Sequence, residues 1–179
     1  VETVGVGQSE TAVADMTDLF VLLASPGGGD DLQGIKRGVM ELADLLIVTK
    51  ADGDLMPAAR RAVADYHAAL HLMRPKHRGL YPKVLAVSSI EGTGIAEAWS
   101  EMQAIHHALA SNGRLTGLRA DQARRWFWSE VQASLSEAIL SDAALAARAG
   151  ELEAAVSKGA VLPYAAAREL LAGYHGARM

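Results

Sequence analysis

The chain has 179 residues, half of them hydrophobic, and a formal net charge of −4 from 17 Lys and Arg against 21 Asp and Glu. This length and composition allow one sizeable core plus an appendage and are not those of a disordered chain. The acidic balance, with no extended basic tract, argues against nucleic-acid binding. The lack of cysteine excludes disulfides and thiolate metal sites, and no apolar run approaches the roughly 20 residues that span a bilayer.

The chain opens at Val1 rather than at Met, directly into residues that could carry chemistry. We therefore expect further residues upstream. No signal-peptide pattern is present, and with no cysteine the sequence favours a cytoplasmic protein.

Strand and helix patterns alternate over residues 1–111. Nearly continuous apolar runs, typical of strands buried on both faces, are Leu19–Ala24, Leu45–Val48 and Lys83–Val87, with Val1 as a candidate end of a fourth. Helical periodicity marks Asp31–Leu42, Ala58–Met73 and Gly94–Ser111. The alternation predicts an α/β fold with an open parallel sheet and flanking helices.

Residues 112–179 contain no strand pattern and predict an all-α arm. Asn112-Gly113 stops the preceding helix, Leu115–Ala149 is largely helical, and Gly150 is expected to break it before two shorter helices, Glu151–Ser157 and Pro163–Ala172. The consecutive aromatic residues 126–128 spread round the helix and need cover on more than one side. We expect the arm to form a homodimer; the alternative is an arm folded back on its own domain.

The first candidate site is Glu2-Thr3-Val4-Gly5, at the end of the candidate strand. The Glu2 carboxylate suits a Mg²⁺ ligand, usually through water, and Gly5 lets a backbone N–H approach a terminal phosphate. The motif is weak on its own.

The second is the glycine-rich segment that runs from Pro26 to Lys36. It superficially resembles a P-loop, but Ile35 stands where the lysine must be and Lys36 where the hydroxyl must be, so that interpretation is rejected. A helix-capping loop with Asp30 or Asp31 as N-cap, and a mobile loop that senses bound nucleotide, remain open.

The third and strongest signal is Thr49-Lys50-Ala51-Asp52, directly after a predicted strand. It matches the [NT]-K-x-D base-recognition motif of GTPases. One carboxylate can accept hydrogen bonds from both the ring N–H and the exocyclic amine of guanine, which adenine does not offer. Sites built on substrate hydrogen bonds reject analogues that lack them by roughly 10⁴–10⁵-fold. The Lys50 stem can lie along the base.

The fourth is Ser88-Ser89-Ile90-Glu91-Gly92-Thr93-Gly94, one helix and one strand further on. It resembles the [ST]-[SA]-x-x-G loop of GTPases, although a plain strand-to-helix turn is the alternative for this segment alone. His67 and His71 have the i, i+4 spacing of a metal pair but no third ligand, which favours a solvated helix face.

Taken together, VETVGVGQSE, GGGDDLQGIKRG and VTKADGD resemble the MeaB/ArgK/MMAA family of P-loop GTPases, closest to its bacterial MeaB-like members, over essentially the whole chain. The resemblance implies GTP or GDP binding with Mg²⁺, slow GTP hydrolysis, a homodimer, and a chaperone role that gates adenosylcobalamin loading and protection of methylmalonyl-CoA mutase.

By position, the resemblance implies that Glu2 serves Mg²⁺ and that Gly5 contacts the γ-phosphate. Nucleotide-binding residues would be Gly5, Thr49, Lys50, Asp52, Ser88, Ser89 and Ile90. Asp30, Gln33 and Lys36 would couple nucleotide state to the mutase.

The chain departs from the family in having no P-loop and no first switch, so we expect it to be inactive alone although its parent hydrolyses GTP. Val6, not glutamine, follows Gly5, and the catalytic residue that orients water stays unassigned. Two other functions remain open. One is a GTPase metallochaperone for another metalloenzyme, which the lack of cysteine and of a His tract disfavours. The other is a non-catalytic dimeric binding module.

Overall fold

A three-stranded parallel sheet organises the first half of the chain. The structure is a computed structural model that describes residues 10–26 and 37–176. The strands are β1 (Val21–Ala24), β2 (Leu45–Val48) and β3 (Lys83–Ala86), in the order β1-β2-β3. All three predicted strands are therefore found, with β1 and β3 slightly shorter than their apolar runs, and the α/β class is confirmed.

Helices fill the intervals and the whole C-terminal part of the described chain. They are α1 (Glu10–Ala14), α2 (Arg37–Leu42), α3 (Met56–His71), α4 (Ile95–Ser111), α5 (Arg114–Leu140), α6 (Ala143–Ser157) and α7 (Pro163–Gly176), with a short 3-10 turn at Gly53–Leu55. None of these helices combines the length and the hydropathy needed to cross a bilayer, within the described residues.

The central strand β2 is buried along its whole length because both of its faces are covered. Leu46 and Val48 pack in a core that includes Phe20, Tyr66 and Leu70. On the other face, Leu45 and Ile47 pack against Val87 of the following loop and Ala98 of α4. Burial on both faces explains why the strand reads as an unbroken apolar run rather than as an alternating one.

The long C-terminal helix predicted from Leu115 to Ala149 is two helices, and the predicted break at Gly150 is wrong. The helix is interrupted at Ser141–Asp142. There Asp142 Oδ1 accepts hydrogen bonds from Ala144 N at 2.9 Å and Leu145 N at 3.1 Å. This N-cap satisfies amides at the start of α6. Gly150 lies inside α6, since an interior glycine costs a helix only about 1 kcal/mol.

The chain divides into two compact units, Val1–Gln122 and Ala123–Met179. The start of α5 belongs to the first unit, because Arg119 donates two hydrogen bonds to the Asp18 carboxylate, at 2.9 and 2.6 Å. These bonds lower the pKa of Asp18 against the opposing effect of burial. Within its described residues the second unit contains only helices. The functional division between residues 1–111 and 112–179 stays a prediction.

A buried carboxylate, Asp44, fixes the amino-terminal edge of the sheet. Its Oδ2 accepts hydrogen bonds from Phe20 N at 2.8 Å and from Lys76 Nζ at 2.7 Å, and its own amide donates to the Phe20 carbonyl at 2.8 Å. His77 Nε2 lies 3.1 Å from Oδ1. One side chain thus joins the entry to β1, the entry to β2 and the loop before β3.

We expect Asp44→Asn to lower the free energy of unfolding by about 2–3 kcal/mol. The substitution removes the buried negative charge that accepts hydrogen bonds from the Lys76 ammonium group and the Phe20 amide. Asp65→Asn is the matched control, since Asp65 is exposed on α3. Urea unfolding followed by circular dichroism compares the two. Equal stability of both variants would show that Asp44 does not fix this edge.

Candidate functional site

The two loops that carry the predicted base-recognition motifs lie side by side at the carboxyl ends of the strands. Val48 at the end of β2 is in register with Ala86 at the end of β3. The contact continues past the strands, since Ala51 N donates to the Val87 carbonyl at 3.1 Å. Ligands of open α/β sheets bind beyond this edge of the sheet, so the two loops occupy the expected place.

Asp52 and Ser88 are in direct contact across these loops. The Ser88 hydroxyl donates a short hydrogen bond to Asp52 Oδ2 and accepts one from Glu91 N at 3.1 Å. Ser88 is fully buried and Asp52 half-buried. The buried hydroxyl fixes one carboxylate oxygen, while a carboxylate can accept about four hydrogen bonds in all. Asp52 therefore retains acceptor capacity for a ligand.

Thr49 is held against the neighbouring strand. Its amide and its hydroxyl both donate to the Ala24 carbonyl, at 2.8 and 3.1 Å. Ala24 is the last residue of β1, so Thr49 ties the ends of β1 and β2 together. The sequence pattern gave no sign of this contact, because it depends on the pairing of two strands distant in sequence.

Lys50 has a left-handed backbone, with φ = 54°, an uncommon conformation for a residue with a side chain. Such a conformation costs about 1–2 kcal/mol and persists where the surrounding structure enforces it. Here the neighbours on both sides are fixed, Thr49 to Ala24 and Ala51 to Val87. The resulting turn leaves the Lys50 side chain exposed at the edge of the sheet.

The second loop is a tight turn that depends on Gly94, the last residue of the fourth motif, for which the sequence pattern predicts no role of its own. Ser88 N donates to the Thr93 carbonyl at 3.0 Å, which closes the loop. Gly94 has φ = 75°, and a Cβ there would lie 2.2 Å from the Ala86 carbonyl oxygen. Ser89 and Ile90, at the tip, are exposed, Ile90 to 89%. Only glycine fits where α4 begins so close to β3.

The remaining predicted site residues lie outside the described residues. They are Glu2, Gly5, Asp30, Gln33 and Lys36. Within residues 10–26 and 37–176 no group of three or more His, Asp or Glu side chains could hold a metal ion. His67 and His71 are exposed on α3 with their rings stacked 6.4 Å apart, which agrees with the expected helix face.

Comparison with known proteins identifies the setting of these loops. Residues 1–144 match the sequence model of the family described as methylmalonyl-CoA mutase-associated GTPase MeaB. A putative GTPase of Caulobacter vibrioides is 47% identical over 97% of this chain and 53% of its own length. The mitochondrial methylmalonic aciduria type A homolog of Mus musculus is 44% identical over 97% of this chain and 42% of its own length.

The fold agrees with a solved relative. The crystal structure of an LAO/AO transport system kinase is similar with a TM-score of 0.79 and 34% sequence identity, over 98% of this chain and 56% of that chain. The sheet and its flanking helices therefore match a P-loop GTPase fold. This chain spans about half the length of these relatives.

The close approach at Gly94 predicts different costs for two glycines of one loop. Gly92 has φ = 70° but nothing within 4 Å of a Cβ, so Gly92→Ala carries only backbone strain, about 1 kcal/mol. Gly94→Ala adds a backbone clash and should cost at least about 2 kcal/mol more. Urea unfolding of both variants measures the difference. Equal costs would mean that β3 and α4 are not this close.

Proposed function

Because the chain belongs to the methylmalonyl-CoA mutase-associated GTPase family MeaB, we propose that the full-length gene product containing it binds and hydrolyses GTP, with Asp52 reading the guanine base. The observation that carries this proposal is the Asp52 carboxylate, oriented by the buried Ser88 hydroxyl at the carboxyl ends of two parallel strands. The names of the relatives support a GTP hydrolase.

The chemistry of guanine supports this role for Asp52. Guanine presents a ring N–H and an exocyclic amine next to each other, and a carboxylate accepts from both. The Ser88 hydroxyl holds the carboxylate in place beforehand, which lowers the cost of ordering it when the base binds. Adenine would leave the acid without those donors, and such an unpaired group costs a ligand much of its affinity.

The other residues of the loops would complete the base pocket. The exposed Lys50 stem would lie along the base plane. The backbone of Ser88, Ser89 and Ile90 would close around the guanine carbonyl oxygen. Thr49 contributes through the sheet edge that it holds together.

Hydrolysis is proposed only for the full-length protein. Residues 1–179 contain no G-x-x-x-x-G-K-[ST] sequence, so they lack a lysine and a hydroxyl placed for phosphates and Mg²⁺. Gly5 would meet the γ-phosphate, and Glu2 would help to hold Mg²⁺, which would neutralise phosphate charge. We expect the chain alone not to hydrolyse GTP.

The family's description names methylmalonyl-CoA mutase, and we propose this adenosylcobalamin enzyme as the partner. The GTPase would gate loading of the mutase with its cofactor and protect it afterwards. Asp30, Gln33 and Lys36, in the glycine-rich segment that follows β1, would couple nucleotide state to the mutase. A cytoplasmic location is part of the same proposal.

The helical arm is proposed to form a homodimer. Trp126, Phe127 and Trp128 are 60%, 59% and 58% exposed on α5, and Phe127 and Trp128 contact each other edge to face at 5.3 Å. Large aromatic side chains exposed together mark surfaces that another protein covers. A second copy, which presents the same residues, would cover them with its own in a symmetric interface.

Base recognition predicts a selective loss in Asp52→Asn. The asparagine side chain has an NH₂ donor in place of one carboxylate oxygen. That donor would face a donor of guanine, so GDP affinity should fall about 10- to 100-fold. Asp54→Asn, at an exposed position two residues on, is the matched control and should bind GDP as wild type does. Isothermal titration of the full-length variants measures both. Unchanged GDP affinity in Asp52→Asn would remove Asp52 from the base pocket.

The coupling role predicts that Lys36→Ala leaves GDP affinity nearly unchanged and reduces the effect of the mutase on GTP hydrolysis. Lys36 would act on the partner rather than on the nucleotide. Titration of GDP, together with hydrolysis rates with and without mutase, separates the two effects. Complete loss of GDP binding would assign Lys36 to the nucleotide site instead.

A further inference from the structure

A cluster of positive charge lies at the edge of the sheet opposite to Asp52. Residues 72–83 run from the end of α3 to the first residue of β3. They include Arg74, Lys76, Arg78 and Lys83 and no acidic residue. Arg114 joins them, because its Nη1 donates to the Arg78 carbonyl at 2.6 Å. We call residues 72–83 together with Arg114 the basic loop. It collects five of the 17 Lys and Arg residues of an acidic chain.

Part of this charge is neutralised and part is not. Lys76 Nζ lies 2.7 Å from Asp44 Oδ2, and Lys83 Nζ lies 2.6 Å from Glu101 Oε2. The Arg74 and Arg78 side chains are exposed, and among residues 10–26 and 37–176 no carboxylate pairs with them. Arginine can bind carboxylates with two parallel hydrogen bonds, so these exposed guanidinium groups are suited to acidic side chains.

Apolar groups accompany the charge. Leu72 is 87% exposed and Tyr81 is 64% exposed. Tyr81 also lines a cavity of about 310 Å³ with a mixed wall. Leu80, Pro82 and Ile105 of α4 supply apolar surface. The charged or polar side chains in the wall are those of Asp44, Lys76, His77, Lys83 and Glu101, and Lys76 and Lys83 are paired with Asp44 and Glu101. Binding energy in protein interfaces concentrates at tyrosine and arginine residues and in pockets that an anchor side chain fills. Tyr81 lines this cavity, and Arg74 and Arg78 lie in the same loop.

We propose that the basic loop is a docking surface for an acidic protein segment that inserts one apolar side chain into this cavity. Charge complementarity between the exposed Arg74 and Arg78 side chains and the segment's carboxylates selects the occupant. A protein segment is favoured over nucleic acid, because the chain's net charge of −4 repels a long polyanion beyond the loop. The cavity supplies an anchor site that a membrane surface would leave unused.

The docked segment would leave the base site free. The basic loop lies at the start of β3, and the loop that contains Ser88 follows the end of β3. A strand of four residues spans about 13 Å, which separates the two loops. Docking should therefore not change GDP affinity. This separates the present proposal from the proposed nucleotide function, since either can fail while the other stands.

The test measures binding of labelled peptides to the full-length protein by fluorescence anisotropy. The Phe peptide has ten residues, Asp and Glu around a central Phe. The Ser peptide is the same peptide with Ser in place of Phe. The wild type should bind the Phe peptide about tenfold more tightly than the Ser peptide. The Arg74→Gln/Arg78→Gln variant should bind the Phe peptide at least about tenfold more weakly than wild type.

The matched control is Arg60→Gln/Arg61→Gln, which removes the same charge from exposed positions on α3, about 18 Å along the helix from Leu72. It should bind both peptides as wild type does. Tyr81→Ser should weaken only the Phe peptide. Any of four results would overturn the proposal. The two arginine variants could be weakened equally, or the wild type could bind the two peptides equally. The wild type could also bind neither peptide, or bind polyadenylate or phosphatidylserine vesicles more tightly than the Phe peptide.

Discussion

The burial of strand β2 on both faces and its pairing on both edges determine where the candidate base-site residues in the loops after β2 and β3 lie. Parallel pairing in register brings Ala24, Val48 and Ala86 to one edge of the sheet. The loops that follow these strands must then meet, and Thr49 and Ala51 fix the loop after β2 to the backbone on either side. Lys50 tolerates its left-handed backbone because of those two attachments. The position of Asp52 is thus a consequence of the core.

The sheet presents two chemically different edges. At the carboxyl ends a carboxylate is held by a buried hydroxyl and keeps capacity to accept hydrogen bonds, which suits a ligand rich in donors. At the amino ends Asp44 binds the backbone of Phe20 and the Lys76 ammonium group, and the loop that carries Lys76 also carries the exposed Arg74 and Arg78. On these proposals one edge would bind a base and the other would bind carboxylates, so that a nucleotide and a protein partner would occupy opposite edges of one small sheet.

Much of this could be predicted from the sequence, and the misses have physical causes. Periodicity located all three strands, and the spacing of two short motifs placed Asp52 and Ser88 at one edge. Asp44 was missed because an isolated aspartate before a strand gives no sign of the amide and the lysine that it meets after folding. The break before α6 was misplaced because a capping side chain outweighs the small helix penalty of Gly150. The role of Gly94 was missed because it depends on a distance between β3 and α4 that no local pattern encodes.

Guanine selectivity is the claim on which the functional account depends, and calorimetric titration of GDP and of ADP into the full-length protein with Mg²⁺ tests it most directly. GDP should bind and ADP should not, because only guanine supplies both donors that the Asp52 carboxylate accepts. Equal binding of the two nucleotides, or no binding of either, would contradict it.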